Sequence, residues 1–378
     1  MNKINRRHFI QASVLGLTAS AFVGVALNRQ SAPMATGRLL VSGYRDHATQ
    51  SRFGVLVTDT LGNIVSDITV ADRVHMADFF PFSSAVLVNS RKPAAPLRKY
   101  SLSGELLAEL FPPENMHFEG HSVFSADGQF IYSSASNYQE KSGYLLEINA
   151  SDMTLVRSIK TDGIGPHELV INDDQIFVAN TGVLTHPDSG REPLNIDTMH
   201  SELVQIDLPS GEVQQRWPCP IQALSARHLT LLPNGAVLVG CQYQKKDDRP
   251  ATVAIARPDL KQLKLLQPDN EQYYWDMKGY TASLSAFPAT SAYAGSALIS
   301  NPRGHLLSHW APEQGQKPEA KPLQYSKGIV VGNSEGWISA GAGELWHWNA
   351  SEQNLTKIKA AVKADFWWEN HMHSRDFS

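Results

Sequence analysis

The 378-residue sequence has only two cysteines, Cys219 and Cys241. That number excludes a disulfide framework and a cysteine-rich metal site, and leaves open only a single bridge between the pair. Charge is also sparse: 19% of residues are Asp, Glu, Lys or Arg, against about 25% in ordinary soluble domains. The formal net charge is −4, and no basic arm or patch interrupts it. A nucleic-acid partner is therefore excluded. No CxxCH haem attachment, Gly-rich phosphate loop or G-x-S-x-G nucleophile elbow is expected, which counts against a c-type cytochrome, a P-loop enzyme and an α/β-hydrolase. Without an H-E-x-x-H spacing, any metal site must be assembled from separate parts of the chain. Hydrophobic residues nevertheless make up 42% of the chain, enough for a large core and too many for disorder.

Long hydrophobic runs are missing as well. The longest, from about Ala12 to Leu27, falls short of the ~20 residues that span a bilayer. It follows Arg6-Arg7-His8-Phe9-Ile10, a basic segment directly before a mild apolar region, and so resembles a bacterial twin-arginine export signal. Residues 1–35 are read as that signal, with Ala35 the candidate cleavage position, and residues 36–378 as a single domain. The signal holds four positive charges and no acid, so the mature chain carries a net charge of −8. A periplasmic protein with no membrane span after export, and a monomer, is expected.

The rest of the chain repeats. His75 in VHMADFFP, His121 in GHSVFSADG and His167 in PHELVINDD lie 46 residues apart. The same phase recurs at His228, Ser283, Gly328 and His371, after steps of 61, 55, 45 and 43 residues. Each occurrence opens a short run of alternating apolar residues closed by a turn such as ADG, NDD or PNG, and further strand-like runs follow (for example QFIYSSAS, GYLLEINA and TLVRSIK). Four short strands per ~46 residues is the arithmetic of a propeller blade. The sequence thus specifies an all-β fold, a seven-bladed β-propeller. Three strands before His75 lack a first strand, and the chain stops after a first strand beyond Glu369. These pieces make up one shared closing blade, which leaves no open sheet edge.

Five of the 14 histidines share one phase of the repeat: His75, His121, His167, His228 and His371. In a propeller that phase opens each blade's innermost strand, at the mouth of the central channel. Imidazoles converging there from separate blades suit a transition metal such as iron or copper, a haem or an anionic ligand. Glu168 beside His167, and Glu119 two residues before His121, add carboxylates. The competing reading is a hydrogen-bonding histidine internal to each blade, but Ser283 and Gly328 break the regularity such a role requires.

Candidate ligand contacts lie around this column. The long insert THPDSGREPLNIDTMHSEL carries His186, Asp188, Arg191, Glu192, Asn195, Asp197 and His200, and a loop of this length is either functional or a cover for the channel mouth. Arg227 beside His228 suits a bidentate grip on a carboxylate or phosphate. Tyr243 at a strand end and Arg303 in NPRGH are further rim candidates. Cys241 reads as a small buried hydrophobe, and Trp367 and Trp368 as packing for the closing blade.

The strings HFEGHSVFSADG, GIGPHEL, THPDSGRE, RHL and GCQY, in this order behind a twin-arginine segment, resemble an uncharacterised family of exported bacterial propellers, a domain of unknown function. The resemblance covers roughly residues 37–373. Its members tend to have Gly-His-Gly where this chain has Val74-His75-Met76. They are commonly encoded near imelysin-type iron-regulated proteins and a di-haem oxidoreductase, which implies a part in iron acquisition and periplasmic iron-uptake proteins as partners. No catalytic residue carries over. The reading that follows is a metal- or ligand-binding propeller. A protein-interaction scaffold, or a metal-dependent hydrolase or oxidoreductase using the same funnel, stands as the alternative.

Overall fold

A computed structural model describes residues 37–377, apart from 48, 50, 93, 191, 268–270, 315–317 and 359–364. The segment read as an export signal lies outside the described residues. Seven four-stranded antiparallel sheets are present. Blade 1 runs from Val74 to Leu110, blade 2 from Met116 to Lys160, blade 3 from Pro166 to Pro218, blade 4 from Leu224 to Leu265, blade 5 from Leu284 to Pro322 and blade 6 from Ile329 to Lys357. Within each, the first strand in sequence is an edge of the sheet and the others follow outward. Blade 7 joins the two ends of the chain: the innermost strand is Phe366–Phe377, and Gly37–Asp46, Phe53–Asp59 and Ile64–Val70 complete it. The seven-bladed propeller and its shared closing blade are thus as the repeat requires.

The packing follows the period-2 alternation of the strands, which gives each sheet two apolar faces. An apolar cluster fills every junction between neighbouring blades. Leu87 and Leu97 meet Ile131 and Leu146 between blades 1 and 2, and Trp217 meets Leu229 and Val239 between blades 3 and 4. At the closure, Val41 and Val57 of blade 7 meet Ala77 and Val86 of blade 1. On its other side, Leu40 and Met372 meet Val330 and Trp337 of blade 6. The innermost strands contact one another in chain order and back to the start, so the ring is closed.

Two features were not legible in the repeat. A short helix, Glu271–Met277, lies between blades 4 and 5, where Met277 joins the apolar junction of those blades. Five of the seven innermost strands also break register with their neighbour, at Val74/Met76, Phe118/Ser122, Pro166/Leu169, Ala226/His228 and opposite Ser42/Tyr44.

Candidate metal centre at the propeller axis

Each of those five register breaks falls at a histidine of the column. A β-bulge places extra residues on one strand and re-aims their side chains. Here it turns His75, His121, His167, His228 and His371 toward the axis. No break occurs in the pairing of Leu284–Ala286 or Ile329–Val331, the two blades that carry Ser283 and Gly328 instead. Gly328 has a steric reason: a Cβ there would lie 2.6 Å from the Met372 nitrogen of the closing strand.

The five imidazoles form one buried cluster, each at most 4% exposed. Ring centroids of His121 lie 4.3 Å from His167, 4.6 Å from His371 and 4.7 Å from His75. The Nε2 atoms of His75 and His121 are 3.0 Å apart. With Glu168 they make three overlapping sets whose ligand atoms all lie within 4.8 Å of one another: His75, His121 and His371; His121, His167 and His228; Glu168, His228 and His371. The structure therefore brings together all six residues expected to ligate a metal.

Their protonation suits ligation. Burial, followed by the neighbouring His121, holds His75 well below the usual imidazole range. Burial likewise lowers His228 and His371 to about 3, so these rings are neutral at ordinary pH and keep a lone pair. His228 Nδ1 donates to Glu168 Oε2 at 2.9 Å, and His167 Nδ1 donates to the Arg227 carbonyl at 3.2 Å. Both bonds place the ring proton on Nδ1 and leave the lone pair on Nε2, as hydrogen bonds that orient metal-binding histidines do. Glu168 also accepts from the Leu229 amide at 3.1 Å, and burial raises its pKa. His75 Nδ1 and His371 Nε2 are buried without a partner. Such orphaned polar atoms are rare in folded proteins, and a metal-ligating role accounts for them.

The cluster separates two cavities. One, of about 380 Å³, is lined by His75, His167 and His228 together with Arg91, Arg227 and Arg303. The other, of about 430 Å³, is lined by His121, Glu168, His371 and His373. His373, two residues along the strand from His371, pairs with Asp78 at 3.3 Å. That Asp78 contact raises the His373 pKa against the opposing cost of its burial.

The long insert covers the first cavity, with Thr185, Gly190 and Pro193 in its wall. Asn195 pins the insert, accepting from Leu184 at 2.7 Å and donating to the Gly182 carbonyl at 2.8 Å. Of the rim candidates, Arg227 and Arg303 line the cavity, whereas His186 and Tyr243 do not. His186 turns back on its own loop to accept from the Asp188 amide at 3.2 Å. Tyr243 alternates with Gln242 and Gln244, which take the cavity-facing positions; its hydroxyl donates to Asp247 at 2.9 Å. Arg191 lies outside the described residues. Glu119 lines the cavity and accepts from Ser136 at 2.6 Å.

Sequence reasoning missed Arg91, Tyr280 and Asn370 in the same wall. Arg91 had a signal: Asn89-Ser90-Arg91 and Asn301-Pro302-Arg303 stand at matching points after the second strands of blades 1 and 5.

Two further motifs settle by context. Cys219 and Cys241 are free, and Cys241 is fully buried among apolar side chains, with burial raising its thiol well above the usual range. Against the expectation that no G-x-S-x-G is present, the string Gly332-Asn333-Ser334-Glu335-Gly336 has that spacing, but it turns from one strand into the next and leaves Ser334 exposed. A true elbow leads from a strand into a helix.

Fold and site together define the class: a seven-bladed β-propeller with a buried histidine cluster on its axis that can hold a metal ion. The chain belongs to the family described as protein of unknown function (DUF1513), whose model matches residues 68–375. No curated protein matches it. Among solved structures it is similar to a chain of hydrazine synthase from Kuenenia stuttgartiensis, with 13% identity over 85% of this chain and 95% of that one, at a TM-score of 0.56. It is also similar to a functionally unknown protein from Desulfotomaculum acetoxidans DSM 771, with 12% identity over 91% and 100% of the two chains, at a TM-score of 0.58. At such identities the likeness shows the fold, and a fold of this kind hosts many functions.

Proposed function

We propose that this protein is a metal-binding propeller of the bacterial periplasm that serves iron or copper acquisition. The observation that carries the reading is the convergence of five buried imidazoles and Glu168 into ligand sets within 4.8 Å. Neutral imidazole suits iron, copper and zinc, whereas the hard oxygen-only sites of calcium and magnesium have no counterpart in this donor set. The Arg6-Arg7 segment supports export by the twin-arginine route, which delivers folded clients, so a metal can be inserted before export. Periplasmic iron-uptake proteins of the imelysin type are the proposed partners, and the protein acts as a monomer.

Metal content per chain is the test, measured on protein purified without chelator or affinity nickel. About one equivalent of iron or copper is expected. A His121→Ala, His167→Ala double variant that folds normally should lose it. Unchanged stoichiometry in that variant would sink the assignment. Export is tested separately: replacing Arg6 and Arg7 by Lys should retain the protein in the cytoplasm.

A further inference from the structure

The wall of the first cavity contains more positive charge than the described residues neutralise. Arg91, Arg227 and Arg303 all line it. Arg91 is drawn toward Glu369 at 3.7 Å, a carboxylate already held by Arg73 at 2.6 and 3.0 Å. The one carboxylate in the lining, Glu119, accepts from Ser136 and His117. Glu119 is also the carboxylate that acts on Arg227, and the exposed Arg303 guanidinium lies 4.8 Å from the centre of the Tyr280 ring. Two donors in the wall, Arg227 Nε and Gln244 Nε2, are buried without any acceptor. A buried donor without an acceptor is costly, and three guanidinium groups outnumber the one carboxylate that lines the cavity with them, so the cavity suits an anion.

The placement of the charges decides what kind. Arg91 comes from blade 1, Arg227 from blade 4 and Arg303 from blade 5, so they approach from opposite sides of the mouth. A compact anion such as phosphate can meet one or two of them. A molecule with carboxylates at separated points can meet all three, each by the planar two-point contact that guanidinium offers. Tyr280, Asn370 and Gln242 complete the lining with neutral polar groups, suited to a hydroxyl between the carboxylates. We infer that this cavity binds a small di- or tricarboxylate anion, held by Arg91, Arg227 and Arg303 above the histidine cluster. The site stands on its own residues and does not require the histidines to hold metal.

The test is isothermal titration of the full chain, stripped of metal, with citrate, with tricarballylate (the same tricarboxylate without the hydroxyl) and with inorganic phosphate. Both carboxylates should bind one per chain, and phosphate at least tenfold more weakly. Arg227→Gln and Arg303→Gln should each weaken citrate about tenfold or more, the loss that follows when a charged hydrogen bond is removed. Thermal melting checks that each variant is folded, and Arg303→Gln decides alone if the other fails to fold. Absence of carboxylate binding, phosphate binding of equal strength, or citrate affinity unchanged in a folded variant would each overturn the inference. A His121→Ala, His371→Ala variant, changed only at histidines that face the other cavity, should keep citrate binding while losing metal, so failure of either site shows separately.

Discussion

Gly120 gives the sharpest perturbation of the centre. It sits in the bulge before His121 with φ of +98°, and a Cβ placed on it would lie 2.4 Å from His75 Cδ2. Alanine there carries two costs. The left-handed backbone costs about 1–2 kcal/mol for a residue with a Cβ, and the overlap with His75 adds about 1–3 kcal/mol of overpacking. His75 is buried against three other imidazoles, those of His121, His167 and His371, so relief must come from moving the ring off the axis. Gly104, at φ of +89° with nothing within 4 Å of its added Cβ, isolates the first cost. Urea unfolding of Gly104→Ala should show a loss of about 1–2 kcal/mol with metal content unchanged. Gly120→Ala should lose about 2–5 kcal/mol and bind metal more weakly. If the two variants are equally stable and Gly120→Ala retains full metal content, the packing of His75 described here is wrong.

Three further outcomes follow from the structure. Lys327, buried with its ammonium donating to the Trp368 carbonyl, is lowered by burial to about 8; unfolded it titrates near 10.4, so the unfolded chain binds more protons between those values and stability rises with pH across that window. The gain between pH 8 and pH 10 should be about 2 kcal/mol in wild type relative to Lys327→Met, and a flat difference would refute it. Arg73→Ala should destabilise the protein by about 1–3 kcal/mol, because Glu369 is 1% exposed and loses its two-point partner while keeping Arg91 at 3.7 Å; adding Glu369→Gln should recover part of that loss. Glu168→Gln should leave the fold intact and weaken metal affinity about 10–100-fold, since the amide no longer fixes the proton on His228 Nδ1; unchanged affinity would remove Glu168 from the centre.

Much of this architecture could be read along the chain. The recurring phase of His75, His121, His167, His228 and His371, with Ser283 and Gly328 filling the gaps, marked all seven innermost strands, because each blade repeats one apolar alternation between turns. The histidine cluster was legible for the same reason: equivalent positions in a closed ring converge on its axis. The rim was harder. A strand's period-2 alternation decides which of Gln242, Tyr243 and Gln244 faces the cavity, and a bulge resets that phase, so Tyr243 pointed away while its neighbours lined the wall. The bulges themselves leave no compositional mark beyond Gly120. His186 was drawn into its own turn by a local backbone bond that competes with any distant ligand.

The central claim is that histidines from separate blades ligate one metal centre. The X-ray absorption spectrum of the iron- or copper-loaded protein tests it most directly, through the multiple-scattering signature of coordinated imidazole. Three or more imidazoles per metal, fewer in His121→Ala, His167→Ala, is the predicted result. A metal shell of oxygen ligands without imidazole, or a protein that takes up neither metal, would contradict it.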